Sequence, residues 1–220
     1  MSSKLSKWIV VPAAVLWFGS VTLAQDTSSS GSSTQGSGTT TSTQAKQPTI
    51  AERKENQQDR IANGVKSGQL TAGETSNLES KEAAINGETR ADRAANGGKL
   101  TPAEKQQINR QQNQVSKQIY QDKHNANTAH YGNNAVGQRR ENQQDRIAQG
   151  IKSGQLTAGE TAKLENQQKG INQQVKADRA ANGGKLTQGE KKQINKEQNA
   201  ASKNIYNKKH NANTQAGTKK

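Results

Sequence analysis

The chain has 220 residues, with 32 Lys and Arg against 18 Asp and Glu, for a formal charge of +14. It contains no cysteine, which excludes disulfides, thiol catalysis and a lipidated cysteine anchor, so a fold must rest on helix packing alone or on a partner's help. Only 28% of the residues are hydrophobic and 3% aromatic, which limits the chain to small cores with narrow contacts.

The N-terminus reads as a signal peptide over residues 1–24. Lys4 and Lys7 precede an apolar run from Trp8 to Phe18, and Thr22-Leu23-Ala24 is a small-x-Ala cleavage site before Gln25. The run is shorter than the roughly 20 residues of a spanning helix, and no other segment is apolar enough to cross a membrane. A secreted or periplasmic location after cleavage at Ala24 is expected, with no transmembrane anchor. Residues 25–47 are nearly all Ser, Thr, Gly and Gln. Such a segment cannot bury enough surface to offset chain entropy and is expected to be a disordered linker.

Two copies of one sequence follow. Residues 53–128 return as residues 139–214 at a constant offset of 86. ENQQDRIA, KSGQLTAGET, ADRAANGGKLT and KHNANT each occur twice. The expected organisation is helical module 1 over 48–128, a joint over 129–137, helical module 2 over 138–214 and a disordered tail over 215–220. Within each copy D-R-x-A-N-G…G-x-L-T-x-x-E or a close variant recurs, so each module reads as two half-repeats of helix, loop and helix.

In chain order, Asn63-Gly64 suits the end of a first helix. Thr71-x-x-Glu74 is a capping box that starts the next. The sequence leaves open whether residues 71–95 form one helix or two. Asn96-Gly97 marks another helix end. Thr101 and Glu104, with Pro102 at the first helical position, start the third helix. That helix carries Ile108, Val115 and Ile119 at gaps of 7 and 4, on one face. Thr157/Glu160 and Thr187/Glu190 repeat the boxes in copy two. Ile61, Val65, Leu70, Leu78, Ile85, Leu100, Ile108, Val115, Ile119 and Tyr120 are the large core candidates of copy one. Nothing reads as a strand, so the expected class is all-α.

The loops resemble EF-hands in their second half. Gly98, Leu100, Thr101 and Glu104 fit positions 6, 8, 9 and 12 of such a loop. The pairs Leu70/Leu100 and Leu156/Leu186 resemble the facing aliphatics of an EF-hand pair. The first half of the loop departs from the pattern: Arg93, Ala95 and Gly97, or Arg179, Ala181 and Gly183, stand where calcium needs oxygen side chains. Asn63, Val65 and Ser67 come nearer the pattern; Gln149, Ile151 and Ser153 do so less. The chain is thus similar to bacterial secreted helical-repeat proteins with degenerate EF-hand-like helix–loop–helix pairs, a set of uncharacterised families. That resemblance implies the location and adds no activity. Weak calcium binding is the alternative reading.

No catalytic constellation emerges. His124 and His210 occupy equivalent places near helix ends, where histidine commonly meets terminal carbonyls. His130 lies in the joint, and a pair with His124 is thin evidence for a metal. Asp59, Asp92, Asp145 and Asp178 each precede Arg and read as exposed or paired. There is no phosphate loop of the G-x-x-x-x-G-K-[ST] type. No catalytic, cofactor-binding or metal residues are assigned, no cofactor is expected and the chain reads as non-enzymatic. A helix-turn-helix reader of DNA conflicts with the signal peptide, so sequence-specific nucleic acid is not an expected partner. Charge is the informative difference between the copies. Residues 52–128 hold 12 basic and 10 acidic side chains, and residues 138–220 hold 17 and 7. The expected function is an interaction or structural module whose basic second copy contacts an anionic envelope surface or polyanion.

Overall fold

The structure is a computed structural model and describes residues 47–215. The expected signal peptide, nearly all of the expected linker and residues 216–220 of the expected tail lie outside the described residues. Among the described residues there are six α-helices and no strand: α1 (Ile50–Ser67), α2 (Ala72–Ala95), α3 (Pro102–Lys123), α4 (Ala135–Lys152), α5 (Ala158–Ala181) and α6 (Gln188–Lys209). The all-α expectation holds. No helix among the described residues is long and apolar enough to cross a membrane.

Each helix start has a local cause. Thr71, Thr101, Thr157 and Thr187 are N-caps whose hydroxyls accept from the amides of Glu74, Glu104, Glu160 and Glu190, and each glutamate reaches back to its threonine amide. A fifth box, Thr49/Glu52, starts α1. The fourth helix differs: Asn134 caps it through the amide of Gly137, and α4 begins at Ala135, inside the expected joint. Residues 71–95 resolve as one helix, α2, preceded by its cap.

The end of α1 departs from expectation. Asn63-Gly64 does not stop the helix; it continues to Ser67, and Gly68 caps it at φ 73°. The reason is packing. Leu70 folds back so closely that a Cβ on Gly64 would lie 2.6 Å from Leu70 Cδ1, and Leu70 N–H donates to Gly64 O at 3.0 Å. Gly64 therefore accommodates a side chain rather than a turn. Gly150 and Leu156 repeat the arrangement. At Asn96-Gly97 the expectation does hold: α2 stops at Ala95 and Gly97 adopts φ 61°.

Helices α1, α2 and α3 pack on one another, as do α4, α5 and α6, and the two copies meet through α1 against α4 and α2 against α5. The α2–α5 contact is antiparallel and reciprocal. Gly73 faces Lys169 while Gly159 faces Ala83; these are equivalent positions exchanged. One apolar cluster spans the copies, joining Ile61, Val65, Leu78, Ile108 and Ile119 to Ile147, Ile151, Leu164 and Ile205. A second cluster contains Val136, Ile171, Val175, Ile194 and Ala201. Ala201 is fully buried in place of Val115, so the stripe survives the loss of two methyl groups. Tyr120 is a correction: it is 61% exposed, with Ile119 beside it fully buried. Adjacent helical positions point about 100° apart, so only one of the two can face the core. Gln215, in the expected tail, is buried and its N–H donates to Gly154 O at 2.9 Å.

Candidate functional site

The carboxylates that end the EF-hand-like loops are occupied locally. Glu74 Oε2 accepts from the Thr71 amide at 2.9 Å and the Thr71 hydroxyl at 2.7 Å, while Oε1 accepts from Asn125 at 2.7 Å and Asn127 at 3.2 Å. Burial opposes the charge on Glu74, but these hydrogen bonds outweigh it and hold the carboxyl below its usual range. Glu160 repeats this with Thr157, Asn211 and Asn213. The KHNANT motif thus ties the end of the third helix of each copy to the start of the second. His124 and His210 stack on Tyr120 and Tyr206 at 4.2 and 4.1 Å between ring centroids. Their Nδ1 atoms lie 2.7 and 2.8 Å from the carbonyls of Tyr120 and Tyr206, the helix-end role expected of them. His130 Nε2 lies 2.7 Å from the Thr128 hydroxyl. Among the described residues, no three His, Asp or Glu side chains converge as metal ligands.

A buried polar seam runs through the middle of the molecule. Gln58 Nε2 donates to Glu79 at 3.1 Å, and the equivalent Gln144 donates to Glu165 at 2.9 Å. Both glutamates are fully buried. Ser76 Oγ donates across the copies to Ala162 O at 3.1 Å. Burial raises the Glu79 carboxyl well above its usual range, and the Glu82 and Glu165 charges add to this against the Gln58 hydrogen bond. Burial likewise lifts Glu165 to about 8 and Glu82 to about 7. Glu82 is fully buried, and neither of its oxygens has a hydrogen-bond partner among the described residues. The counterpart of Glu82 in copy two is Gln168, which donates to Gln143 Oε1 at 3.1 Å.

Beside this seam a cleft of about 620 Å³ opens between the copies. One wall is cationic, with Lys54 from α1 and Arg90 and Arg93 from α2. The opposite wall is the amino-terminal turn of α5, Thr157 to Gly159, with residues 212–215. Ile50, Ala83 and Ile85 give an apolar component. Burial lowers the Lys54 pKa, the Glu82 carboxylate resists, and the Arg90 and Arg93 charges lower it further. The guanidinium groups are therefore close enough to act on the ammonium. Comparison of the chain with protein-family models, curated proteins and solved structures finds no match. The residues themselves must therefore carry the functional argument.

Chemically, the start of α5 is already capped by the Glu160 carboxylate and by Gln215 Oε1 on the Ala158 amide, so the fixed charge of Lys54, Arg90 and Arg93 is what favours an anion in the cleft. The titratable side chains that line it are Lys54, Arg90 and Arg93. Sequence reasoning did not find the cleft. Its cations lie on two helices of one copy and its far wall comes from the other copy. The seam left a fainter signal: Gln58 sits three residues before Ile61 and seven before Val65, on the same face.

Proposed function

We propose that the chain is a non-enzymatic, secreted or periplasmic interaction protein. In this reading it is two tandem copies of a helical module, each a pair of EF-hand-like helix–loop–helix units, and the second copy contacts an anionic envelope surface through basic side chains. The observation that carries the reading is where the charge difference falls. Four large buried aliphatic pairs are identical in the two copies: Ile61/Ile147, Leu78/Leu164, Ile108/Ile194 and Ile119/Ile205. Apart from the buried change of Glu82 to Gln168, the changes that make copy two more positive lie outside the buried framework. Asn77 becomes Lys163, Gln106 becomes Lys192 and Asp122 becomes Lys208. Lys163, Lys191, Lys192, Lys196 and Lys203 are exposed on α5 and α6.

Exposed lysines attract a polyanion at long range and weakly fix its orientation, so binding should fall steeply with salt. The test is co-sedimentation of the full chain with vesicles of anionic and of neutral lipid across a salt series. Binding only to anionic vesicles, lost with salt, is expected. The triple variant Lys163→Asn, Lys192→Gln, Lys208→Asp restores copy-one residues and should weaken binding by about tenfold. Salt-insensitive binding unchanged in that variant refutes the proposal.

A further inference from the structure

The reciprocal packing of α2 on α5 should create two equivalent clefts, one over the start of each of these helices. They are not equivalent. Over the start of α2 the place is filled. Lys169 lies across it, with Cδ 3.6 Å and Cε 3.7 Å from where a Cβ on Gly73 would be. Val175 is buried where copy one has the half-exposed Thr89. Arg140, the counterpart of Lys54, is 7% exposed, and the Tyr131 ring lies 5.1 Å from its guanidinium carbon. The chain at Tyr131 and Gly132 comes so close to α4 that a Cβ on Gly137 would meet both carbonyls; copy one has Ala51 there.

Over the start of α5 the same position is Ala83. A Cβ on Gly159 would meet only the Ala83 methyl, at 3.9 Å. The cleft stands open on this side, lined by Lys54, Arg90 and Arg93. Copy two keeps basic residues at these three places, Arg140, Lys176 and Arg179. Positive charge is therefore common to both sides, and access is what distinguishes them.

We propose that this open cleft is a binding site for one small organic anion per chain, a carboxylate or a phosphate ester. The guanidinium groups of Arg90 and Arg93 match the planar, two-pronged geometry of either group. Neither arginine forms an ion pair with a carboxylate among the described residues; the one hydrogen bond from Arg90 runs from Nε to Asn86 O at 3.3 Å. Gln112 is a fixed part of the cleft wall. It lines the cleft at 2% exposure, its Nε2 donates to Ile50 O at 2.9 Å, and its Oε1 has no hydrogen-bond partner. Its counterpart Gln198 is fixed in the same way, donating to Val136 O at 2.9 Å, so this amide belongs to the framework of both copies. Ile50, Ala83 and Ile85 cover the carbon skeleton, and the volume is in the range of small-molecule sites. This site is separate from the lysines of α5 and α6 proposed to meet an envelope surface.

The test is calorimetric titration of the full chain, at fixed ionic strength, with glucose 6-phosphate, glucuronate, inorganic phosphate and neutral glucose. Saturable binding of glucose 6-phosphate or glucuronate at one site per chain is expected, with none for glucose. Which of the two binds assigns phosphate or carboxylate, and phosphate alone measures the contribution of the sugar. The decisive variant is Ala83→Lys, which installs the residue that fills the other cleft. It raises the net charge yet should weaken binding by about tenfold or more, as should Arg93→Gln. Lys105→Gln, at an exposed position of α3 outside the cleft, should leave binding unchanged. Absence of one-site binding for both sugar anions up to millimolar concentration overturns the proposal. So does equal or tighter binding by Ala83→Lys, the result expected if charge alone attracts the anion. Circular dichroism of each variant separates loss of binding from loss of fold.

Discussion

Glu82 and Gln168 occupy equivalent positions and differ by one ionisable group in a fully buried setting. Burial holds the Glu82 carboxyl at about 7 and Glu165 at about 8, against an unfolded value near 4.5. The folded state then binds more protons than the unfolded state between these limits. Stability contributed by the neutral forms is fully present below pH ~4.5 and is lost as pH rises through about 7 and 8. Lys54 faces Glu82 and partly offsets the loss, while Glu79 and Glu165 act on each other unfavourably. The capping carboxylates Glu74 and Glu160 work in the opposite sense: their carboxyls are held low, so their contribution is lost as pH falls through the acid range. Thermal melts should therefore show maximum stability near pH ~5, declining toward pH ~8.5. Glu82→Gln, which installs the copy-two residue, should raise stability at pH ~8 by on the order of 2 kcal/mol and leave it nearly unchanged at pH ~5. A melting temperature for this variant that tracks the parent at every pH would contradict the burial account.

At the scale of the element, glycines inside helices divide into two kinds. Gly64 in α1 and Gly150 in α4 each accept a leucine side chain where a Cβ would lie 2.6 Å from it. Gly87 in α2 and Gly170 in α5 have nothing within 4 Å of that position. Alanine gains about 0.5–1 kcal/mol over glycine in a helix interior, whereas overpacking costs about 1–3 kcal/mol. Gly64→Ala should thus lower stability by about 1 kcal/mol, and Gly87→Ala should raise it by up to about 1 kcal/mol. Denaturant melts of the two variants check the opposite signs.

The same elements mark how far the sequence could be read. Four helix starts were legible because a Thr-x-x-Glu cap is closed by residues three apart and needs no tertiary partner. The stripe Ile108, Val115, Ile119 was legible for the same local reason. Gly64 was misread because its cause is Leu70, which acts through packing and not through φ. Glu79, Gln58 and Glu82 were missed because charged and amide side chains ordinarily belong to the surface. Their burial follows from α5 lying on α2, a contact between positions 86 residues apart such as Ser76 and Ala162. No periodicity announces that pairing.

At the scale of the whole molecule, one apolar cluster joins both copies. Leu78 in α2 and Leu164 in α5 belong to it at 0% and 2% exposure. Unfolding should accordingly be a single transition, with tyrosine and far-ultraviolet signals coincident. Leu78→Ala should cost about 2–5 kcal/mol. The loss should appear as faster hydrogen exchange at Ile147 and Ile205 of copy two as well as at Ile61 of copy one. Protection lost in copy one alone would mean that the copies unfold independently.

The reciprocal contact between α2 and α5 has a consequence for dilution. A surface that meets its own equivalent is the geometry of a symmetric dimer. Were the copies separate polypeptides, their association would follow mass action and the pair would come apart in dilute solution. Here six residues, 129–134, join the described ends of the copies, which converts that association into an intramolecular one at an effective concentration near the millimolar range. The melting temperature of the full chain should not depend on protein concentration, whereas a polypeptide of residues 47–128 should self-associate and melt at a temperature that rises with concentration.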